Sequence, residues 1–407
     1  MTNPVLSQSA DYPIPQMPPP PSKVQELHQG QAVPTIKQMV KDAFTMKASD
    51  IHIRVGQPTR FRIQGEMVRL KDQVKVTSEM FEHFLTEILA PRQRKQFDED
   101  KELDTAIFYP GFVRCRVNCF DSLTGGAMVL RLISLKIPTI DELNLPPVLK
   151  RVISQPQGLI LITGPTGSGK STTLAAMINH LNENAKRHVV TIEDPIEFVH
   201  PSKKCLVSQR EVGIHTLEFH RALRAVLRED PDVILIGEMR DRVTVNTALQ
   251  AAQTGHLVLG TLHTRNAINS INRLLNLFDV DEQPAMRIQI CDSLVAVIAQ
   301  LLVPTVDNSR TAVHDILINT PAMSDFLLKD DAESAQQLME SDSYEGMQLI
   351  NQAIFEQVVA GRITMEEAER VSPEPADLDR RFRMAGIEAD GSVRQFKPGK
   401  SPFSSDK

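Results

Sequence analysis

A glycine-rich segment near the middle of the chain has the residue types and spacing of a phosphate-binding loop. Residues 164–171, GPTGSGKS, fit the pattern G-x-x-x-x-G-K-[ST], between a strand-like run, Leu159–Ile162, and a helix-like run from Thr172 to Leu181. Backbone N–H groups and the positive end of that helix would bind phosphate oxygens, Lys170 would reach the β- and γ-phosphates, and the Ser171 hydroxyl would ligate Mg²⁺. The residues predicted to bind phosphate are Gly164, Pro165, Thr166, Gly167, Ser168, Gly169, Lys170, Ser171 and Thr172.

Polar side chains also follow three further apolar runs, each at the point where a predicted strand ends. The first ends in Glu193 and Asp194, the second in Glu238, and the third in His263. In an open parallel sheet, ligands bind beyond the carboxyl ends of the strands, so we expect these side chains to share one site with the loop. The sequence therefore predicts phosphoryl transfer to water, with Glu238 orienting or deprotonating the attacking water.

The other polar residues at these strand ends receive supporting roles. Glu193 and Asp194 are predicted to hold Mg²⁺ or its waters, since Mg²⁺ takes few protein ligands beside phosphate oxygens. His263 is predicted to sense the γ-phosphate, and His256, at the start of the same strand, is a weaker candidate. A basic stripe (Arg221, Arg224 and Arg228) is predicted on a helix capped by Thr216. It is either a solvated face or a surface turned toward a neighbouring subunit's nucleotide.

The elements that must position this site form an α/β fold. Four apolar runs, 159–162, 189–192, 233–236 and 257–259, alternate with helical segments. Because the runs are apolar on both faces, they predict a parallel sheet covered by helices. From about Thr311 onward the pattern predicts helices. One of these begins in a capping box formed by Thr364 and Glu367.

The rest of the chain divides by composition. Residues 1–34 are a Pro-rich arm predicted to be disordered, and residues 35–137 predict a small α+β domain with an antiparallel sheet. A proline-punctuated linker covers residues 138–150, the parallel-sheet domain with its C-terminal helices covers 151–385, and a flexible tail covers 386–407.

Composition narrows the functional class. The net charge of −6 and the lack of an aromatic-studded basic groove disfavour nucleic-acid binding. No apolar run is long enough to span a membrane and no secretory signal is present, so a cytoplasmic location is expected. The chain has four cysteines, and Cys115 and Cys119 alternate with polar residues as core positions of a strand do, so neither disulfides nor zinc are expected.

The motifs together resemble one family, the secretion and pilus motor ATPases, and in particular the PilT/PilU-type retraction ATPases of type IV pili. The segments that carry the resemblance, with the family's names for them, are GPTGSGKSTT (164–173, Walker A), TIEDPIEF (191–198, Asp box), SQREVG (208–213, a linking motif), LREDPDVILIGEMRD (227–241, Walker B) and AAQTGHLVLGTLHT (251–264, His box). ASDIHI (48–53) and RCRVN (114–118) match the N-terminal domain of the family.

The resemblance implies a PAS-like N-terminal domain joined to a RecA-like ATPase domain and assembled as a homohexamer. It implies ATP and Mg²⁺ as cofactors, and Arg116 and Arg131 match the positions of arginines that help to read the γ-phosphate. The implied partners are an inner-membrane pilus platform protein and a paralogous motor ATPase, with no nucleic acid. The implied location is the cytoplasm, peripheral to the inner membrane at the pilus base.

Within the family, pilus retraction is the leading interpretation. The extension and type II secretion branch usually carries a tetracysteine element after the His box, where this chain has only Cys291. The stretch 322–329 keeps the apolar spacing of the AIRNLIRE-like retraction helix but not its basic and amide positions, so a PilU-like accessory motor is the second interpretation. Two more candidate functions are pilus extension or type II secretion, and a nucleotide-gated regulatory subunit that hydrolyses little ATP.

Overall fold

The computed structural model describes residues 34–69, 74–133, 135–341 and 345–386, which form two compact units. The first ends at residue 133 and the second begins at Leu135. The predicted arm and tail lie outside the described residues, except for Pro34 and Gly386. The domain limits proposed from the sequence stay a prediction.

The first unit is an antiparallel sheet packed with helices, in the order β3-β2-β1-β6-β5-β4. Thr35 caps its first helix by accepting the Gln38 N–H at 3.1 Å. The elements are α1 (Ile36–Thr45), β1 (Ala48–Arg54), β2 (Arg60–Ile63), β3 (Glu66–Arg69), α2 (Ser78–Ile88), α3 (Pro91–Asp100), β4 (Glu102–Tyr109), β5 (Val113–Phe120) and β6 (Ala127–Ile133).

The second unit contains the predicted parallel sheet, so the α/β fold class is confirmed. Its elements are α4 (Val148–Ile153), β7 (Gly158–Thr163), α5 (Lys170–Asn184), β8 (His188–Glu193), β9 (Leu206–Glu211), α6 (Phe219–Val226), β10 (Val233–Ile236), α7 (Arg242–Gln253), β11 (Leu257–Leu262), α8 (Ala267–Leu275), α9 (Gln283–Ser293), β12 (Leu294–Pro304), β13 (Arg310–Ile318), α10 (Pro321–Leu328), α11 (Ala332–Ser341), α12 (Ile350–Val359), α13 (Met365–Val371) and α14 (Pro375–Met384). The strands lie in the order β13-β12-β7-β11-β10-β8-β9.

The four apolar runs predicted from the sequence are the central strands β7, β11, β10 and β8, and all are paired in parallel. Every residue of β7, β10 and β11 is buried, which explains why these runs are apolar on both faces. Ile236 of β10 pairs with Gly260 of β11 on one side and with Ile192 of β8 on the other. Their carboxyl ends therefore meet at one edge of the sheet.

The prediction that the chain becomes helical from about Thr311 was wrong for its first part. Residues Arg310–Ile318 form β13, which pairs antiparallel with β12, and helices resume only at Pro321. At the later capping box, Thr364 does accept the Glu367 N–H, at 3.2 Å. The Glu367 carboxylate, however, binds the Arg370 guanidinium at the next turn of the helix.

The four cysteines are core residues, as predicted for Cys115 and Cys119. All are buried and free. Burial raises the pKa of the Cys115 and Cys119 thiols to about 12 and that of Cys291 to about 11, and it also raises the pKa of Cys205. Since the thiolate is the reactive and metal-binding form, these thiols are inert in the folded chain.

We therefore expect almost no reaction of the native protein with a thiol-specific disulfide reagent within minutes at pH 8, and four thiols per chain after denaturation in guanidinium. A Ser309→Cys variant, at an exposed turn position, should add one fast-reacting thiol and serve as the control. Rapid labelling of a wild-type thiol, or zinc in the purified protein, would contradict the assignment of all four cysteines to the core.

Candidate functional site

The carboxyl edge of the parallel sheet opens into a crevice of about 600 Å³ within the second unit. Its lining includes the loop after β7 and the start of α5 (Thr166, Gly167, Gly169, Lys170, Ser171 and Thr172), Glu193 and Asp194 at the end of β8, Gly237 and Glu238 after β10, and Thr261 and His263 at the end of β11. The structure therefore brings together all four strand endings that the sequence predicted to share a site.

The loop between β7 and α5 has the backbone of an anion cradle. Gly164 has φ +144° and Gly169 has φ +88°, conformations that residues with a side chain rarely adopt. Gly169 is the N-cap of α5, and no side chain caps the helix. The first N–H groups of α5 are thus available to a bound anion at the positive end of the helix.

Lys170 begins α5 and its side chain bends back over the loop. Its Nζ donates to the carbonyl oxygens of Gly164 at 2.8 Å and Pro165 at 3.1 Å. Burial lowers the pKa of Lys170, while the carboxylates of Glu238 and Glu197 act in the opposite direction. The ammonium group therefore lies in a crevice that also holds acidic side chains, close to the loop that would cradle phosphate.

Glu238 is held between two cationic or potentially cationic partners. Its Oε2 accepts from the Arg240 guanidinium at 2.6 Å, and its Oε1 lies 3.3 Å from Nε2 of His263. The hydrogen bond from Arg240 is the main cause that lowers the pKa of Glu238, with burial opposing it. Glu238 is thus an ionised acceptor with only a quarter of its side chain exposed.

Glu193 differs from Glu238 in its hydrogen-bond partners and in the direction of its pKa shift. Its Oε1 accepts from the Thr191 hydroxyl at 2.6 Å and from the Gln209 amide at 3.2 Å. Burial raises the pKa of Glu193 in spite of these bonds. Asp194, the next residue, is exposed at the crevice. The two acidic residues of this turn therefore differ in solvation, and Asp194 is the better placed of the two to meet a hydrated cation.

Hydrogen bonds of a threonine and a glycine connect the strand endings to one another. The Thr261 hydroxyl donates to the Gly237 carbonyl, and the Met239 N–H donates to the Thr261 carbonyl at 3.1 Å. The Gly237 N–H donates to the Ile192 carbonyl at 2.8 Å. These bonds fix the segment that carries Glu238 to the strands on either side.

Several predicted residues lie outside this crevice. His256 lies at the opposite end of β11 from His263, where its Nδ1 contacts the Ala251 carbonyl oxygen at 2.9 Å, a structural role. Thr216 does not cap α6, because Glu218 is the N-cap residue and the Thr216 hydroxyl donates to the Glu218 carbonyl. The predicted helical stripe is also incomplete, since α6 ends at Val226, before the third arginine. Its three members (Arg221, Arg224 and Arg228) are exposed.

Arg116 and Arg131 lie in the first unit, directly opposite each other on β5 and β6. Arg131 Nε donates to the buried Asp50 carboxylate at 2.8 Å. Burial would raise the pKa of Asp50, but hydrogen bonds from Arg131 and Ser49 bring it below its usual range. Among the described residues, no carboxylate lies within salt-bridge distance of Arg116, which is exposed. The Arg131 guanidinium is therefore anchored by Asp50, whereas the Arg116 guanidinium is exposed.

Sequence reasoning missed Arg240 as a site residue. It lies two positions after Glu238 within GEMRD, lines the crevice, and is the strongest partner of Glu238. Its position two residues after Glu238, a candidate catalytic residue, is the feature of the sequence that could have identified it. Gln209, which bonds Glu193, and Arg310, which lines the crevice from β13, were also missed. Both come from strands that the sequence pattern did not reveal.

The fold and the crevice are those of the secretion-ATPase class, and comparison with known proteins agrees. The family model for type II/IV secretion system protein matches residues 25–389, so the chain belongs to this family. A type IV pilus retraction ATPase, PilT, of Pseudomonas aeruginosa is 43% identical over 338 residues, which cover 83% of this chain and 98% of that protein.

Two further comparisons give the same result. The type IV pilus ATPase PilU of Pseudomonas aeruginosa is 38% identical over 343 residues, 84% of this chain and 89% of that protein. The crystal structure of the pilus retraction motor PilT with bound ADP superposes with a TM-score of 0.79 at 40% identity, covering 85% of this chain and 99% of that one. None of the helices in the described ranges is both apolar enough and long enough to cross a lipid bilayer.

The contacts around Glu238 predict the effect of removing Arg240. An Arg240→Gln variant should raise the pKa of Glu238 toward its ordinary value, because the hydrogen bond that lowers it most is lost. The measurement is a carbon-13 titration of glutamate carboxyls, in which the Glu238 resonance is the one absent from a Glu238→Gln sample.

The control for this titration is Arg383→Gln, which removes an exposed arginine that pairs with Asp379 in α14. It should leave the Glu238 midpoint unchanged. An unchanged midpoint in Arg240→Gln as well would show that the Arg240 contact does not set the ionisation of Glu238.

Proposed function

We propose that this chain is a Mg²⁺-dependent ATPase that powers retraction of a type IV pilus, and hence twitching motility. The observation that carries the proposal is that Lys170 and Glu238 line one crevice with an uncapped helix N-terminus, in a chain 43% identical to a retraction ATPase over 98% of that protein. The binding of ADP by the solved PilT supports a nucleotide as the ligand of the crevice.

The loop 164–172 is proposed to hold the triphosphate. The N–H groups at the start of α5 would bind phosphate oxygens, and Lys170 would exchange its two carbonyl partners for the β- and γ-phosphates. A phosphate oxygen is a stronger acceptor for an ammonium group than a carbonyl oxygen is, since the hydrogen bond is charge-assisted on both sides. This exchange would make nucleotide binding favourable without a large rearrangement.

Glu238 is proposed as the group that accepts the proton of the attacking water. Arg240 keeps its carboxylate ionised, which a general base requires. His263 lies 3.3 Å from Glu238 and would therefore also lie near the γ-phosphate. Water attacks the γ-phosphorus, the bond to the ADP oxygen breaks, and ADP leaves with the electron pair of that bond. Arg240 and His263 would then differ in role: Arg240 sets the charge of Glu238, and His263 senses the phosphate.

Mg²⁺ fits the donors on this side of the crevice. The Ser171 hydroxyl and the exposed Asp194 carboxylate are hard oxygen donors, and Glu193 lies beside them as support. When bound, Mg²⁺ would neutralise phosphate charge. Among the described residues, no group of three or more His, Cys, Asp or Glu side chains is arranged to hold a metal ion by itself.

Arg116 and Arg131 are proposed to contribute positive charge during hydrolysis, as their counterparts in the family do. Asp50 would serve to orient the Arg131 guanidinium on the sheet of the first unit. The proposed assembly is a homohexamer, and the proposed partners are an inner-membrane platform protein and a paralogous motor ATPase at the cytoplasmic side of the pilus base. These proposals rest on the family resemblance.

A PilU-like accessory motor is the second candidate, and the identities favour the retraction motor itself, at 43% against 38%. Pilus extension or type II secretion is disfavoured by the missing tetracysteine element. A regulatory subunit with little hydrolysis is disfavoured by the ionised Glu238 facing the crevice. A phosphate-release assay on the purified chain separates such a regulatory subunit from a motor.

The central catalytic prediction concerns Glu238. Glu238→Gln should bind ATP with near wild-type affinity but hydrolyse it about 10²- to 10⁴-fold more slowly, because the amide cannot accept the proton. The measurements are phosphate release and nucleotide affinity on the same preparations. Glu340→Gln, which removes a surface glutamate paired with Arg381, is the matched control and should keep full activity. Wild-type turnover in Glu238→Gln would refute the assignment.

The direction of force is tested in the cell. A deletion strain should carry abundant surface pili and lose twitching movement, because extension continues without retraction. Wild-type protein supplied in trans should restore movement, and Glu238→Gln protein should not. Cells without surface pili would point instead to an extension motor, and normal twitching would point to an accessory role.

A further inference from the structure

Strand β12 carries one buried polar residue in an otherwise apolar central segment. Gln300 is only 2% exposed, between Ala299 and Leu301. A buried amide is costly unless its donor and acceptor are both paired, so its partners show what it is fixed to. Nε2 donates to the Ser168 carbonyl at 2.6 Å, and Oε1 accepts from the Thr173 hydroxyl at 2.7 Å. The side chain thus hydrogen-bonds Ser168, which precedes Lys170 in the sequence, and Thr173, which follows it.

The orientation of this amide follows from its partners. A carbonyl oxygen can only accept, so the amide nitrogen must face Ser168 and Oε1 must face Thr173. The third partner is Nε2 of the buried His314 on β13, at 3.2 Å from Oε1, and that nitrogen must therefore carry the ring proton. Burial lowers the pKa of His314 to about 4, so the ring is neutral at physiological pH.

The backbone of the loop is also shaped to Gln300. A Cβ at Gly164 would fall 2.3 Å from the backbone carbonyl oxygen of Gln300, and a Cβ at Gly169 would fall 2.8 Å from its side-chain Nε2. Real Cβ atoms do not approach other atoms so closely. The Gly164 contact involves backbone and holds for any residue at position 300, whereas the Gly169 contact involves the Gln300 amide itself.

We propose that Gln300 is a positioning residue for nucleotide binding, which holds the backbone from Ser168 to Thr173 in its phosphate-cradling conformation and is itself held by His314. The proposal rests on the proposed ATPase function of the crevice. Gln300 is not among the residues that line the crevice, so it acts through the loop rather than on the phosphate. None of the sequence motifs that define the site includes it.

The consequence is a loss of nucleotide affinity when these bonds are removed. Gln300→Met keeps the length of the side chain but leaves the Ser168 carbonyl and the Thr173 hydroxyl without their partner. Thr173→Val keeps the shape of the threonine and removes only its hydroxyl donor. Each should weaken ADP binding, Gln300→Met by roughly tenfold or more, because an unpaired buried group favours rearrangement of the loop.

The test is the ADP dissociation constant of the full-length chain, measured by calorimetry together with the unfolding temperature without nucleotide. Asn182→Ala is the matched control: it removes another buried amide of the same unit, which bonds the Pro201 carbonyl and the Lys203 N–H at the far end of α5. It should lower the unfolding temperature without changing ADP affinity. Thr173→Ser, which keeps the hydroxyl, should bind as the wild type does.

Combining Gln300→Met with Thr173→Val should cost less than the product of the two single effects, since both remove the same bond. Wild-type affinity in folded Gln300→Met, or a loss no greater than in Asn182→Ala, would overturn the proposal. If Gln300→Met does not fold, the contrast between Thr173→Val and Thr173→Ser decides in the same way. A wild-type chain that binds ADP but supports no retraction would reject only the pilus function, and one that binds no ADP would reject both.

Discussion

The parallel pairing of β7 with β11 and β12 is the constraint on which the rest of the site depends. It places the loop after β7 beside the ends of its neighbours, and the further pairing of β10 and β8 brings Glu238 and Glu193 to the same edge. A parallel strand has no turn that can carry it directly into its neighbour, so β7, β8, β9, β10 and β11 are each followed by a crossover, whereas β12 and β13 form an antiparallel hairpin. The crossovers begin at this edge, and their first residues include the side chains that line the crevice.

The same edge gives two carboxyl groups different proton affinities. Glu238 is paired with Arg240 and remains ionised, whereas burial outweighs the hydrogen bonds to Glu193 and raises its pKa. This difference is consistent with the separate roles proposed for them, Glu238 as a base and Glu193 as a support. In the sequence both residues stand at the end of an apolar parallel strand, so only their partners in the folded chain distinguish them.

Long, strongly patterned features were predictable and isolated contacts were not. The four central strands were correct because continuous apolar runs ending in polar residues have few other interpretations. Strands β12 and β13 were missed because a run such as 294–303 is apolar on both faces, and periodicity alone cannot tell it from a buried helix. Arg240 was missed because no pattern shows that its side chain turns back to Glu238, two residues earlier. Gln300 was missed because its partners in the loop are far from it in sequence: it meets Thr173 across 127 positions.

That long separation has a consequence for synthesis of the chain on the ribosome. Ile160 of β7 pairs with Ala296 of β12, so the floor beneath the Walker A loop is translated long after the loop itself. At about 5–20 residues per second, the interval is on the order of ten seconds. During that time the nascent loop lacks Gln300, so the hydrogen bonds that hold Ser168 and Thr173 in the folded chain cannot yet form.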